Sequence, residues 1–294
     1  MSKSEAVSDW HRELNDLMRA VAGAFLFGAP FLYTMEVWWK GNFTSPPRML
    51  FALAAAYVSL VALNLNGGFR TRQPRAWNRI LGDSAEGLAV ALASAAFSLV
   101  LIGIIRFNEG LEVIMGRIVM EAVPFSIGVG IASNFLKKQD EEGGGGSDGL
   151  PEERAQDWSS DAWRGTLADA GSTVLGATII CSSIAPTDEI PMIAAGLSSP
   201  WLLVMIGASL LLSYIIVFEA DLGSQSRRMT QTGIFQSPIS ETLASYLLSL
   251  LVAFLTMWLF QLVRVDDPLS QWVNYTIVLG LPATIGGAAG RVAL

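Results

Sequence analysis

Two short motifs of the same kind place a hydroxyl group beside a carboxylate: Thr34-x-Glu36 and Thr187-x-Glu189. Prolines cluster around both motifs, so we expect the backbone there to depart from continuous helix. Hydroxyl oxygens, freed backbone carbonyls and a carboxylate suit a cation that sheds part of its hydration shell. The recurrence of threonine and glutamate together predicts a cation-binding or pore site.

A second pair of acids also recurs, Glu86 and Glu241. The stretch Asp83–Glu86 has the spacing of a helix capping box, and Ser237-Pro238 is typical of a cap followed by the first helical residue. Acids in a first helical turn are stabilised by the helix dipole, so the structural interpretation is that both glutamates simply stabilise the start of a helix. The alternative is an inner gate or a proton acceptor.

Glu121 stands alone inside an apolar segment, with Arg117 four residues before it. This spacing places both side chains on one face of a helix. We therefore expect either an internal salt bridge or a proton or ion site. The corresponding positions later in the chain are Tyr275 and Leu279, so either role would be asymmetric.

The composition indicates a membrane protein, because 52% of the 294 residues are hydrophobic and only 15% are charged. Apolar runs of about 20 residues match the thickness of a bilayer as helices. The fold class expected is an all-α, polytopic transmembrane bundle of eight spans. Their predicted ranges are 17–38, 48–67, 85–106, 113–136, 166–186, 200–219, 241–263 and 272–290.

The spans divide into two weakly similar copies, which predicts an N-terminal four-span repeat at 1–136 and a C-terminal one at 161–294. Between them, residues 137–160 are acidic and rich in glycine, which predicts a flexible cytoplasmic linker. An even number of spans per copy makes the copies parallel, with an axis along the membrane normal. In a bilayer, the repeated Thr-x-Glu acids either line that axis or simply lie among lipid headgroups.

Small residues are dense on the fourth span of each copy. They let neighbouring helices approach closely in lipid, so helix packing is the favoured interpretation. The residues are Gly128, Gly130, Ala132, Gly286, Gly287, Ala288, Ala289 and Gly290.

Basic residues are more frequent in the segments assigned to the cytoplasm, which predicts that both termini lie inside. The outer ends of spans 1 and 5 would then carry the two Thr-x-Glu motifs. A homo-oligomer, such as a dimer, could gather four such carboxylates into a ring.

Several classes of function are disfavoured. A single cysteine (Cys181) and a single histidine (His11) exclude an intrachain His/Cys metal site, and we expect no metal, no cofactor and no enzyme. Carboxylate pairs leave an intramembrane acid–base enzyme as a minor alternative. The formal net charge of −7 comes without a basic stripe, so no nucleic acid is expected as a partner.

The stretch Thr34-Met35-Glu36-Val37-Trp38-Trp39 after a proline-bearing span resembles a family of uncharacterised bacterial integral membrane proteins. The stretch Phe218-Glu219-Ala220-Asp221, followed by Arg227-Arg228, adds to the resemblance. The resemblance implies a multi-pass protein of the bacterial inner membrane and assigns no catalytic residue.

The sequence thus favours an ion channel or transporter for an inorganic cation or a proton, embedded in the lipid bilayer. The alternative is a non-transporting scaffold or sensor that binds a partner through its basic cytoplasmic loops. The basic residues concerned are Arg70, Arg72, Arg75 and Arg79.

Overall fold

The computed structural model describes residues 3–68, 77–106, 108–142, 158–220 and 237–293, and these residues are helical apart from short turns. The all-α fold class is confirmed for this part of the chain. The elements are α1 Lys3–Leu32, α2 Met35–Gly41, α3 Pro46–Gly68, α4 Trp77–Leu101, α5 Leu111–Glu142, α6 Trp158–Ile184, α7 Glu189–Gly196, α8 Ser199–Tyr214, a π-helical segment Ile215–Glu219, α9 Pro238–Leu259 and α10 Leu269–Ala293.

Seven of these helices are long and apolar enough to cross a membrane, when the π segment is counted with α8. They are α3, α4, α5, α6, α8, α9 and α10. Residues 13–32 of α1 pass the same test only together with α2, from which α1 is bent by 90°. The described residues therefore supply seven candidate spans and one bent pair.

The predicted first span over 17–38 is interrupted, because α1 ends at Leu32, and the departure from continuous helix expected around the prolines is confirmed here. Pro30 lies in the last turn of α1 and cannot donate a backbone hydrogen bond. Thr34 then adopts an extended backbone (φ −108°, ψ 95°), and α2 leaves at a right angle. The same sequence of long helix, break and short helix recurs at α6 and α7, with Pro186 in the break.

Close glycine contacts join the first and last long helices in each half of the chain. A Cβ atom added to Gly23 of α1 would lie 2.6 Å from the carbonyl oxygen of Gly128 on α5. A Cβ added to Gly176 of α6 would collide with the carbonyl oxygen of Gly286 on α10. At these two crossings glycine allows backbone to touch backbone, as the small-residue pattern predicted.

The turns that follow α4 and α9 are alike. Gly103 and Gln261 both adopt the left-handed conformation, with φ of 73° and 60°. In each turn the next amide donates to a carbonyl five residues back, from Ile104 to Leu99 and from Leu262 to Met257. The two helices therefore end in the same way, although only one of them ends with glycine.

The two halves meet along α1 and α4 on one side and α8, the π segment and α10 on the other. The buried Tyr33 hydroxyl donates to the carbonyl oxygen of Val278 at 2.7 Å. The Trp201 indole donates to the carbonyl oxygen of Leu101, also at 2.7 Å. Buried apolar side chains such as Ile216 fill the same region, so the junction is tightly packed.

Helices α5 and α6 both extend into the segment predicted as a linker over 137–160, since α5 ends at Glu142 and α6 begins at Trp158. The glycine-rich centre of that segment lies outside the described residues.

Candidate functional site

The first Thr-x-Glu motif forms the turn between α1 and α2. Thr34 is the residue before α2, and its hydroxyl donates to the carbonyl oxygen of Pro30 at 3.3 Å. Glu36 lies in the first turn of α2 and is exposed. A carboxylate at this end of a helix is favoured by the helix dipole, and here it faces the surroundings of the protein.

The second motif forms the corresponding turn between α6 and α7. The Thr187 hydroxyl donates to the carbonyl oxygen of Ile184 at 2.6 Å, so both threonines bond to the last turn of the preceding helix. Glu189 is the first residue of α7 and is half-buried. The two motifs thus share their local structure but differ in the exposure of their acids.

Glu189 is the point at which the second motif reaches the first half. The backbone amide of Met35, the first residue of α2, donates to Oε1 of Glu189 at 3.4 Å. The other carboxylate oxygen, Oε2, is buried and has no hydrogen-bond partner among the described residues. In that part of the chain no reciprocal bond joins Glu36 to α7, so the predicted pair of acids is asymmetric.

Glu189 could offer a cation only a few oxygen ligands. Within the described ranges, no three histidine, cysteine, aspartate or glutamate side chains are grouped as a metal site would require. A cation beside Glu189 would therefore bind to one carboxylate and to backbone or hydroxyl oxygens. Such a site favours brief binding, which permits release.

The expected salt bridge between Arg117 and Glu121 is wrong. Arg117 instead donates to both carboxylate oxygens of Glu109, at 2.6 and 3.1 Å. It also donates to Asn42 at 2.6 Å and to the carbonyl oxygen of Ile104 at 2.5 Å. A pair with Glu109 is favoured because the loop before α5 brings both carboxylate oxygens within hydrogen-bond distance of two guanidinium nitrogens.

Glu121 lies deeper in α5 and has a relative exposure of 0%. Neither of its carboxylate oxygens has a hydrogen-bond partner among the described residues. The ion or proton site remains as the prediction for this residue, since its expected cationic partner is occupied elsewhere.

The predicted capping box at Asp83–Glu86 is wrong, because α4 begins at Trp77 and these residues lie inside the helix. Glu86 is exposed on its surface, whereas Ser84 is buried and accepts a hydrogen bond from Asn64 at 3.0 Å. The cap at Ser237 is confirmed, since its hydroxyl oxygen accepts from the amide of Ser240 at 3.2 Å.

Glu241, the counterpart of Glu86, forms an ion pair with Arg291 at the end of α10. The Arg291 side chain is fully buried, donates to the Ser245 hydroxyl at 3.0 Å and lies over the ring of Phe218. Phe218 belongs to the π segment, a distortion that often marks functional positions.

Sequence reasoning missed Arg291 and Glu109. Arg291 was visible as the one charged residue of the last apolar stretch, at its end. Glu109 was visible in the sequence because Arg106 and Glu109 have the same spacing as Arg264 and Asp267. In both turns the carboxylate accepts a hydrogen bond from the arginine amide.

The two halves differ where the short helix meets the last long helix. In the first half, α2 packs closely on α5, because Gly41 and Gly116 bring their backbones together. In the second half, a groove of about 220 Å³ lies between α7 and α10. Its lining includes Pro191, Ala194, Gln271, Asn274 and Tyr275.

The basic residues proposed to bind a partner are mostly outside the described part of the chain. Three of them, Arg70, Arg72 and Arg75, lie outside the described residues. Arg79 is exposed on the first turn of α4.

The fold and its apolar helices define a class, the multi-pass integral membrane proteins of helical type. Within that class, the chain belongs to the family described as "Putative integral membrane protein (DUF2391)", which matches residues 16–294. No curated protein and no solved structure matches the chain.

Proposed function

We propose that the protein transports an inorganic cation or a proton across the bacterial inner membrane, with Glu189 as the main outer site. One observation carries the proposal: a partly buried carboxylate lies where the two halves meet, and only one of its oxygens is bonded. Keeping such a group away from water costs free energy, so it favours a functional role over a structural one.

The proposed architecture is eight spans in two parallel four-span repeats, with the bent pair of α1 and α2 counted as one span. Three recurring features support it: the order of long and short helices, the glycine contacts Gly23–Gly128 and Gly176–Gly286, and the left-handed turns. Parallel repeats place both Thr-x-Glu motifs on the outer side when both termini are cytoplasmic.

The packing favours a transporter over a permanently open channel. The described residues between the halves are buried and mostly apolar, and three hydrogen bonds join the halves. Passage of an ion would therefore require one half to move against the other. Glu36, which is exposed, would attract cations to the outer mouth, and Glu189 would receive them.

The proposal is tested by flux into liposomes that contain the purified full-length chain. A gradient of protons, Na⁺ or K⁺ is imposed, and uptake is followed with a dye specific for each ion. We expect flux in the wild type, a loss of at least tenfold in Glu189→Gln, and a smaller loss in Glu36→Gln.

Glu112→Gln is the matched control, because Glu112 is an exposed acid in the first turn of α5 and has no part in the junction. Equal flux in the wild type and in Glu189→Gln would remove Glu189 from the pathway. No flux of any of these cations in the wild type would overturn transport and leave the scaffold or sensor as the alternative.

A further inference from the structure

The buried carboxylate of Glu121 is not explained by the outer site. It lies in the candidate span Leu111–Ala132, ten residues after that span begins, and is fully buried. At about 1.5 Å per residue, this places it about 15 Å along the helix, near mid-membrane. A carboxylate at this depth without a partner is far more stable when neutral, that is, when it holds a proton.

The face of α5 that carries Glu121 can be located from its neighbours. Arg117, Glu121 and Phe125 follow one another at a spacing of four, so they share a side of the helix. The Phe125 ring packs against Gly28 of α1, and the Arg117 backbone packs against Gly41 of α2. Glu121 therefore lies level with the break between α1 and α2.

Few ionisable groups face Glu121 from the helices packed on α5. On α5 itself, Arg117 is the nearest cation and is bound to Glu109. Within the part of the chain that the structure describes, the other ionisable groups near this level have partners or are exposed. Tyr33 of α1 donates to Val278, and Tyr57 of α3 donates to the carbonyl oxygen of Leu81. Glu36 and Lys40 of α2 and Arg48 of α3 are exposed, and α4 has no ionisable residue from Leu88 to Leu101.

We propose that Glu121 is a proton-binding residue and that loss of its proton transfers Arg117 from Glu109 to Glu121. When the O–H bond breaks, the electron pair stays on the carboxylate and the proton passes to a water molecule that enters the bundle. The new carboxylate attracts Arg117, which is four residues away on the same helix face.

The transfer has a consequence outside the membrane core. Glu109 also accepts a hydrogen bond from the Arg106 amide at 3.3 Å, so it is part of the loop between α4 and α5. Release of Arg117 frees this carboxylate and the Asn42 side chain, which loosens the contact between α2 and the loop. Protonation at Glu121 would thus be linked to the position of α2, whose first amide binds Glu189.

The second half of the chain carries Leu279 and Tyr275 in place of Glu121 and Arg117. The switch is therefore confined to the first half. This inference deepens the proposed function by naming the proton as the ion bound inside the protein, but its test needs no transport.

The test uses the full-length protein in lipid nanodiscs and infrared difference spectra recorded between acidic and alkaline pH. We expect a carbonyl band from a protonated carboxyl group at neutral pH, which disappears in Glu121→Gln and in Glu121→Leu. Glu121→Leu introduces the residue that the second half has at this position, so it is the variant expected to fold best. Glu112→Gln should leave the band unchanged.

A second measurement reports on Arg117. In a Cys181→Ala background, a fluorophore at Asn108→Cys in the loop should change its mobility when Glu121 loses its proton. The change should be absent in Glu121→Gln. A wild-type spectrum at neutral pH without a band that depends on Glu121 would overturn the inference.

The outcomes separate the two proposals. A Glu121 band without ion flux contradicts the proposed function and leaves the proton site standing. Flux without that band contradicts the proton site alone.

Discussion

Arg117 connects several segments at the outer end of the first half and should stabilise that end. It bonds to Glu109, Asn42 and the carbonyl oxygen of Ile104, and its side chain is only 10% exposed. We expect Arg117→Gln to lower the free energy of unfolding by about 2–3 kcal/mol, because it leaves these groups without a cation. The loss is below that of a fully buried pair, since Glu109 retains 28% exposure.

Thermal unfolding in detergent measures this effect. Arg106→Gln is the control, because Arg106 is an exposed arginine in the same loop. Equal melting temperatures for the two variants would show that the Arg117 contacts do not stabilise the fold.

The pair of Glu241 and Arg291 allows a double-mutant cycle. Glu241→Leu should destabilise the protein more than Arg291→Leu, because it leaves the fully buried Arg291 cation without its carboxylate, whereas Glu241 is 28% exposed and can be hydrated when Arg291 is removed. The double variant should be more stable than the sum of the two single changes predicts, by about 1–3 kcal/mol. Strictly additive effects in thermal unfolding would contradict a coupled pair.

At the residue level, the sequence could predict which acids recur but not which partners they have. Arg117 has carboxylates available on both sides, at Glu109 and Glu121. Helical spacing favours Glu121, yet the loop before α5 brings both carboxylate oxygens of Glu109 within hydrogen-bond distance of the guanidinium group. A loop conformation is set by tertiary contacts, so no local pattern could have shown this choice.

The long helices are held together by backbone contact at their crossings. Gly176→Ala should lower the melting temperature strongly, because the added Cβ would collide with the Gly286 carbonyl; overpacking of this kind costs about 1–3 kcal/mol. Gly171→Ala, one turn earlier on α6, has nothing within 4 Å and should be neutral or stabilising. A similar loss in both variants would show that the backbone contact at Gly176 does not set the effect.

The two left-handed turns predict opposite results for two exchanges. Gln261→Gly should stabilise the protein by about 1 kcal/mol, because it removes the cost of a left-handed residue that has a side chain. Gly103→Ala should destabilise it, since it adds that cost and places a Cβ 2.8 Å from Leu197. Chemical or thermal unfolding checks both, and the same sign for the two changes would contradict the matched turns.

At the element level, apolar length predicted the long helices well, because runs such as 241–263 leave few alternatives in a bilayer. It could not predict the right-angle turn at Thr34, since Val37, Trp38 and Trp39 are as apolar as the span before them. The turn depends on Pro30 and on the packing of Gly41 against α5, and the second of these is a contact between distant parts of the chain.

The proposed orientation of the whole molecule is open to direct test, because Cys181 is buried and is the single cysteine of the chain. In a Cys181→Ala background, Phe43→Cys between α2 and α3 should react with an impermeant thiol reagent in intact cells. Trp77→Cys, at the start of α4, should react only after the membrane is opened. Both positions are exposed, so labelling of both from outside would contradict the proposed topology.

The crossing of α1 with α5 has a consequence for the order in which the protein is made. The packing of α1 on α5 can form only when the fifth helix has left the ribosome, and both sides of this crossing belong to the first half. The Tyr33 hydroxyl and the Met35 amide, in contrast, find their acceptors only on α10 and α7. During translation, the first bundle would therefore contain two hydrogen-bond donors that lack their acceptors until the second half has been made.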